Sequence, residues 1–540
     1  MIEPGQDEIS SDSGGEQPCL NPLLLDWLVT CDLRKIRNID ELFQAIAIRI
    51  AEIDQMLVQA VRQVLGSDKF QQLESSFLSI YKLVATSSSG ELSLRNMPDS
   101  RRVKVFVLDV SADELESDLN ANSHRQTWIY DKLFRKRFDY LIGEQTIELE
   151  NYSGIYPFSL MIVDFDFGLS PTETKDCRQI GLETLRKLAK IGEECFCMFL
   201  INLASNFFGD SIQRFEQLEN VIDVQAIFRQ SKYDRWNEFR QQESSRMIGL
   251  TMPRVLVREP YHNYLMGERE TDSADQGQAT RIIFHEHEGF VPSEKLLWGR
   301  SCFAAAQPII RSFRLYDWFS DVSGVDRDPK QVVCEGEEID PGYDGGLIGQ
   351  LPETCFDTDA PGVACYPPTE IVISETDEAI YSSLGLIPLF SVHQSFYVAL
   401  LSCQSVQRIR TMNTEDATTN LRLSSMFNYM LCVCRMAHRL KMECRTQIGK
   451  SVGPESVQDH MQEWLMQHSS GQNRGFEQKM IKPFFDEATG FFVYEDVTDP
   501  GRYDCTIRLC PHHKYDSGKT RVVFEPVTLQ MQLNANEEGG

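Results

Sequence analysis

The sequence predicts a mixed α/β protein, and three stretches carry that prediction. Tyr156 opens a near-continuous apolar run, YPFSLMIVDF, and Cys195 opens a second, CFCMFLI. Between them Ile180, Leu185, Leu188 and Ile191 recur at helical spacing. Strands apolar on both faces belong to a sheet covered on both sides, so strand, helix, strand at this spacing implies a layered α/β core. The third stretch is Arg246–Trp318. Its first half is a strand cue, with Arg254, Val255, Leu256 and Val257 following Pro253, which cannot donate to a ladder and so marks a strand start. Its second half is helical, with Cys302, Ala305, Ala306, Ile309, Phe313 and Tyr316 on one stripe.

Taken in order, residues 1–18 (MIEPGQDEISSDSGGEQP) are acidic and polar, have almost nothing to bury, and are expected to stay unfolded. From about Asp40 to Leu65 the pattern is helical, with Leu42, Ile46, Ile50, Ile53, Leu57, Val61 and Val64 as its stripe. A Gly-Ser-Asp break leads to a second helix whose stripe is Phe70, Leu73, Phe77, Ile80 and Val84. Two such helices in series read as an arm, which buries its stripe either on its own body or on a partner. The period then falls to two at RRVKVFVLDV, where alternation of Val103, Val105 and Val107 predicts a half-buried strand.

Pro308 interrupts the long stripe after Trp298, where an interior proline costs about 3 kcal/mol and kinks or divides a helix. Residues 326–367 read as loop, with prolines and glycines among acids. TEIVISE (369–375) reads as a strand, then a short helix, then LGLIPLFSV and SFYVALLS as paired strands. The longest helix is expected between about Thr418 and Gly449, with Met426, Met430, Val433, Ala437, Leu440 and Cys444 as its stripe and Arg435 and Arg439 opposite. From Ala417 to Lys450 there are six Lys or Arg and one acid, Glu443, so this helix either presents a solvated face or meets acidic neighbours. A short helix from about Glu455 to His468 carries Val457, Met461, Trp464 and Leu465. GFFVYEDV, YDCTIRLCP and TRVVFEPVTL close the chain as strands, too few to be stable alone, which either dock on the body or take strands from other chains.

Composition narrows the function classes. With 53 Lys plus Arg against 80 Asp plus Glu, the net charge of −27 disfavours general phosphate-backbone binding, so no nucleic-acid partner is expected. The 15 cysteines sit mostly in apolar runs with no CxxC pair, which reads as reduced, buried thiols. No leader segment and no apolar run of membrane-spanning length is found, so a cytoplasmic protein without membrane insertion is expected.

Sites of chemistry are sparse. DFG at Asp166–Gly168 lacks the Gly-rich loop, lysine and HRD triplet of a kinase, and Asp164 and Asp166 read instead as the close of the strand from Tyr156. His285 and His287 in FHEHEGF would share a face on a strand, but no third ligand is near in sequence. His512 and His513 adjoin a turn. Gly345, Gly346 and Gly349 lack the strand-then-helix context that phosphate cradling needs. No catalytic, metal or cofactor site is expected.

The ordered sum of motifs resembles the large subunit of the type VI secretion contractile sheath (the TssC, or VipB, family). GLTMPRVLVREPY and LLWGRSCFAAAQPIIRSFRLYDW are similar to that family's GLTLPRFLARLPY and YLWGNAAYALAANINRAFKLYGW, with Arg300 in place of its asparagine. FQQLESSFLSIYKLV, with Phe77 at the usual tryptophan, DVSADELESDL, LMIVDFDFG, GGLIGQLPETCFDTD, PTEIVISE, LGLIPL and NLRLSSMFNYMLCVCRMAHRLKMECRTQIG follow colinearly, with an insertion over 326–341. The resemblance covers roughly 40–530.

It implies a contractile-sheath fold like that of phage tail sheath proteins and a structural role, not an enzyme. The implied organisation is a tail and lead-in over 1–39, a helical arm over 40–90, a mixed α/β body over 91–412, a long and a short helix over 413–470, and strands with a polar tail over 471–540. The implied partners are a small sheath subunit (TssB/VipA-like) in an obligate heterodimer, neighbouring protomers, a hexameric inner-tube protein (Hcp-like), a baseplate, and an AAA+ ATPase acting mainly through the small subunit. The implied interface residues are Phe70, Leu73, Phe77, Ile80 and Val84 on the arm and Tyr503, Cys505, Ile507, Leu509, Val522 and Phe524 on the strands. Met461, Trp464 and Leu465 are the candidates for inner-tube contact. The alternatives are the sheath of a related contractile injection machine or phage tail, or an uncharacterised α/β enzyme.

Overall fold

The computed structural model describes most of residues 38–88, 103–135, 157–169, 179–266, 282–325, 332–352, 368–410 and 418–448, a few positions near 460, and strands at 485–495, 502–511 and 527–534. The chain divides into two compact units, one of residues 1–67 with 261–290 and one of residues 68–260 with 291–540.

In the first unit, helix α1 (Ile39–Leu65) is amphipathic in sequence, yet Phe43, Ile48, Ile50, Ile53, Met56, Leu57 and Val64 are all exposed. Near its C-terminal end Arg62 Nε donates to the carbonyl of His285, 2.9 Å away. His285 follows a short hairpin, Tyr264–Met266 with Ile282–Phe284.

The second unit is built on a five-stranded, wholly parallel sheet. Its strands are β1 (Leu160–Phe167), β2 (Gln179–Ile180), β3 (Met198–Leu203), β4 (Ile248–Met252) and, from much later in the chain, Ile387–Pro388, which pairs with β4. The spatial order runs from Ile387–Pro388 through β4, β3 and β1 to β2. Alternation along β3 sends Met198 and Leu200 to one core and Phe199, Ile201 and Leu203 to the other, so both faces are buried as the apolar runs required. One core is closed by helix α4 (Leu182–Cys195), which contributes Leu185, Leu188 and Ile191. A knot of rings, Phe207, Phe208, Phe228, Tyr233 and Trp236, fills the rest of it, with centroids 5.0–6.0 Å apart. Helix α3 (Ala112–Ala121) packs there through Leu115 and Leu119 and exposes Asp113, Glu114 and Glu116. The opposite core is closed by α5 (Ser301–Tyr316) and α7 (Phe427–Ile448). Gly249 of β4 permits this closeness, because a Cβ there would lie 2.8 Å from the Phe427 ring and 2.9 Å from Ile387.

Several expectations change. Helix α5 continues unbroken through Pro308 instead of being divided, in a segment buried along its length from Ser301 to Ile310. Packing on both flanks outweighs the one ladder bond that proline forfeits. Residues 103–110 form no strand. Val103 packs on the core, while Val105, Phe106, Val107 and Leu108 are exposed, so the alternation has no ladder within the described chain. TEIVISE contributes only an isolated bridge, Thr369 with Val255, before helix α6 (Glu375–Ser383), which a Ser374–Asp377 capping box starts. Residues 332–334 and 337–339 form a small hairpin inside the stretch read as loop. Phe390–Ser391 pairs antiparallel with Val398–Ala399 as the paired-strand reading has it.

The long helix begins at Phe427, later than expected, and is buried on nearly every side from Phe427 to Ala437. Arg435 lies over the Phe313 ring, 5.2 Å from its centroid, a cation-π contact more than a solvated charge. At the C-terminus β5 (Phe485–Glu495), β6 (Arg502–Pro511) and β7 (Val527–Asn534) form an antiparallel sheet with β6 in the middle.

Candidate assembly surface

Helix α2 (Asp68–Ser88) has the apolar stripe of an ordinary surface helix and docks the wrong way round for one. Its inward side is mostly polar and small, with Leu83 reaching the core. Ser75, Ser76, Ser79 and Leu83 are buried. Ser76 Oγ donates to Asp164 Oδ2 on β1 at 2.7 Å. Glu74 receives a forked pair of hydrogen bonds from Arg258, 2.6 and 3.0 Å, with both side chains largely buried. Lys82 donates to the carbonyl of Val257, and burial lowers its pKa to about 8. The helix is therefore pinned to the body by polar contacts.

What faces away is the stripe. Leu73 is 50% exposed, Phe77 65%, Tyr81 70% and Val84 40%. Phe70 and Ile80 are half-buried, and Ile80 packs on the core. Of the two readings left open for the arm, burial on its own body does not describe Leu73, Phe77 or Val84.

Behind α2 lies a buried ionic seam that ties it to the sheet. Arg300, at the start of α5, sends Nη1 to Asp164 Oδ1 at 2.8 Å and Nε to Asp166 Oδ1 at 2.9 Å. Both carboxylates raise its pKa against the opposing effect of burial. Asn202 of β3 donates to Asp166 at 2.9 Å and accepts from both the backbone NH and the hydroxyl of Ser301, at 3.0 and 2.7 Å. That amide therefore binds the first turn of α5 to the sheet. A second pair, Arg254 with Glu370, spans 2.7–2.8 Å through two bonds, with the Glu370 side chain almost wholly buried. A polar cavity of about 340 Å³ opens beside these groups. Asp164 and Asp166 do close strand β1. The sequence noted Arg300 only as a departure from a motif, and its acidic partners are 134 and 136 residues away, so only the fold reveals the pairing.

On the C-terminal sheet, Tyr503, Cys505, Ile507 and Leu509 lie on β6, whose two sides are both taken. Cys505 stands opposite Val493 on one side and Met531 on the other, and Ile507 opposite Phe491 and Leu529. Within the chain both sides of the 503–510 strand are therefore paired, and the outer edges of this sheet belong to β5 and β7. The third strand lies at Val527–Asn534, later than the expected 520–528. Val522, Phe524, Met461, Trp464 and Leu465 lie outside the described residues, as do His512 and His513.

The remaining chemical candidates are placed as follows. His285 and His287 follow the end of a strand at Phe284 and do not share a strand face, and among the described residues no cluster of ligands suited to a metal is found. Gly345 and Gly346 serve backbone approach, since a Cβ on Gly346 would stand 2.1 Å from the Leu400 carbonyl, and Gly345 has φ +60°. Cys195, Cys197, Cys302, Cys403, Cys432 and Cys434 are buried thiols outside any disulfide, and burial raises the Cys403 and Cys434 thiols to about 12. No helix among the described residues is long and apolar enough to cross a membrane.

Comparison with known proteins supplies the context for these surfaces. A family model described as EvpB/VC_A0108, tail sheath N-terminal domain, matches residues 47–407. A second, described as EvpB/VC_A0108, tail sheath gpW/gp25-like domain, matches residues 416–525. A curated relative, the type VI secretion system sheath protein TssC1 of Pseudomonas aeruginosa, is 29% identical over 468 residues, which covers 86% of this chain and 82% of the relative.

Proposed function

The chain belongs to the VipB tail sheath family, and from that premise we propose that it is the large subunit of a type VI secretion sheath that pairs with a small sheath subunit, polymerises around an inner tube and contracts. The observation that carries the pairing is the outward stripe of α2. A helix that buries serines and ion pairs while leaving Leu73, Phe77, Tyr81 and Val84 to solvent is half of an interface. The exposed side chains of Val105, Val107 and Leu108 support the same reading: a partner surface laid along them would cover them.

Polymerisation rests on the C-terminal sheet. An 11-residue β5 and an 8-residue β7 leave long outer edges where strands from neighbouring protomers can add. Main-chain bonds made this way link subunits without fixing their separation, which suits a tube whose protomers move outward together. Contraction needs no nucleotide at the moment of firing if the extended tube is metastable. Obligate interfaces bury on the order of 2,000–5,000 Å², so a modest gain per protomer summed along a tube does considerable work. Met461, Trp464 and Leu465 remain the residues we assign to inner-tube contact, with baseplate attachment and ATPase-driven disassembly mainly through the small subunit.

Negative-stain electron microscopy tests the reading. Ridged hollow tubes are expected when this chain is co-expressed with its small partner and not when it is expressed alone. Single particles in both preparations refute a two-component sheath, and tubes from this chain alone refute the obligate pairing.

A further inference from the structure

In the second unit an open cavity of about 860 Å³ is lined by Arg229, Arg240, Arg408 and Arg422 and, among the described residues, by no carboxylate. Four guanidinium groups converge there in a chain whose formal charge is −27. Arg240 is buried and fixed at the rear, with Nε donating to the Val406 carbonyl at 3.0 Å and Nη2 to the Ser383 carbonyl at 3.2 Å. Both of these hydrogen-bond partners are main-chain carbonyls. Burial first, and then the charge of Arg408, lower its pKa to about 10, the response of a cation beside another cation. Arg229, Arg408 and Arg422 are exposed, and their side chains form no ion pair among the described residues. Glu378 feels the charge of Arg422 and accepts a hydrogen bond from the Ser402 hydroxyl. The rest of the lining is neutral and mixed, with the amides of Gln225, Asn237 and Gln404 beside the Phe228 ring and Leu384.

This lining selects an extended, carboxylate-rich peptide. Guanidinium forks match carboxylates in two-bond geometry, the amides match a peptide main chain, and the ring and leucine match an occasional apolar side chain. A bare small anion would use the arginines and leave the amides and the apolar wall without a role. The chain carries such a peptide in residues 1–18, which hold Glu3, Asp7, Glu8, Asp12 and Glu16, one isoleucine near their middle, Ile9, and no Lys or Arg. We propose that the arginine-lined cavity is a docking site for the acidic segment 1–18 of a neighbouring copy of this chain. The neighbour's presence rests on the assembly reading above; the docking chemistry does not.

The test titrates the full-length protein into a labelled synthetic peptide of residues 1–18 and follows fluorescence anisotropy. Measurements at about 50 mM and about 500 mM salt compare Debye lengths above ~10 Å and below ~5 Å. The peptide is expected to bind at low salt, to weaken at least tenfold at high salt, and to weaken at least tenfold against the double variant Arg408→Glu, Arg422→Glu. A peptide with its five acids replaced by the corresponding amides is expected not to bind. Both substituted arginines are exposed, and circular dichroism with the milder Arg408→Gln, Arg422→Gln variant separates lost charge from lost fold. Absence of binding, or binding that the charge reversals leave unchanged, overturns the proposal. So does inorganic pyrophosphate that raises the melting temperature through these two arginines while the peptide fails to bind, which would make the cavity a small-anion site. Tube formation is read separately: tubes with no peptide binding overturn this docking alone, whereas peptide binding without tubes overturns the assembly reading alone.

Discussion

Phe77→Ala is the sharpest single probe of the α2 surface. A phenylalanine buries about 150–250 Å² when fully enclosed. With 65% of Phe77 still exposed, most of that area is left for a partner. At about 25 cal/mol per Å², covering roughly 100–160 Å² is worth ~2.5–4 kcal/mol. Alanine keeps a small part, so a loss of about 2–3 kcal/mol is expected, on the order of a 30- to 150-fold rise in Kd for the small subunit. The chain by itself should hardly notice, with a change within about 0.5 kcal/mol, as for other exposed positions. Two measurements check this: affinity for the purified small subunit, and urea unfolding of the chain alone. Ser76→Ala serves as the mirror control. Its hydroxyl holds Asp164 from the buried side of the same helix, so its loss should cost ~1 kcal/mol of stability with little change in affinity. A Phe77→Ala chain that unfolds more than about 1 kcal/mol too easily while binding its partner normally would sink the argument, because the ring would then be covered by its own body.

Three further outcomes are expected. Arg300→Ala strands Asp164 and Asp166, and because Asp164 keeps 36% side-chain exposure the cost should be about 2–3 kcal/mol, below the ~3–5 of a fully buried pair; a change under about 1 kcal/mol in urea would mean that water already satisfies both acids. Burial lowers Lys82 from the usual 10.5 to about 8, so between those values the unfolded chain binds more protons and stability rises with pH across that window. Lys82→Met should lose that rise, and curves that stay parallel from pH 7 to 11 would show that the amine is solvated in the native state. For the buried cysteines, Ellman's reagent should find at least six fewer reactive thiols in native protein than in urea, and equal counts would contradict their burial.

What could be read from the sequence followed from periodicity where the partner surface lies in the same chain. The runs at Tyr156 and Cys195 became β1 and β3, and the stripe from Cys302 to Ile309 became the buried side of α5, because each has a sheet or a helix of its own to meet. Periodicity finds a stripe but not its direction. On α2 the pattern at Leu73, Phe77 and Val84 was plain, whereas the anchoring by Glu74, Ser76 and Lys82 depends on Arg258, Asp164 and Val257, far off in sequence. The same limit explains residues 103–110, where alternation was real but no strand among the described residues pairs with it. Pro308 shows propensity yielding to packing on both flanks of α5. The arginine-lined cavity was invisible because its four cations come from separate segments, none of them notable alone.

On the proposed pairing with a small subunit, the inverted seating of α2 also bears on how the cell keeps the two chains in proportion. A chain whose own fold leaves Phe77 and Tyr81 in water exposes the kind of surface that chaperones and proteases capture. Copies made in excess of their partner would be cleared or would clump, while paired copies would be spared. Stoichiometry would then be enforced after translation, by the lifetime of the orphan, and the two genes would need only approximate balance in their expression.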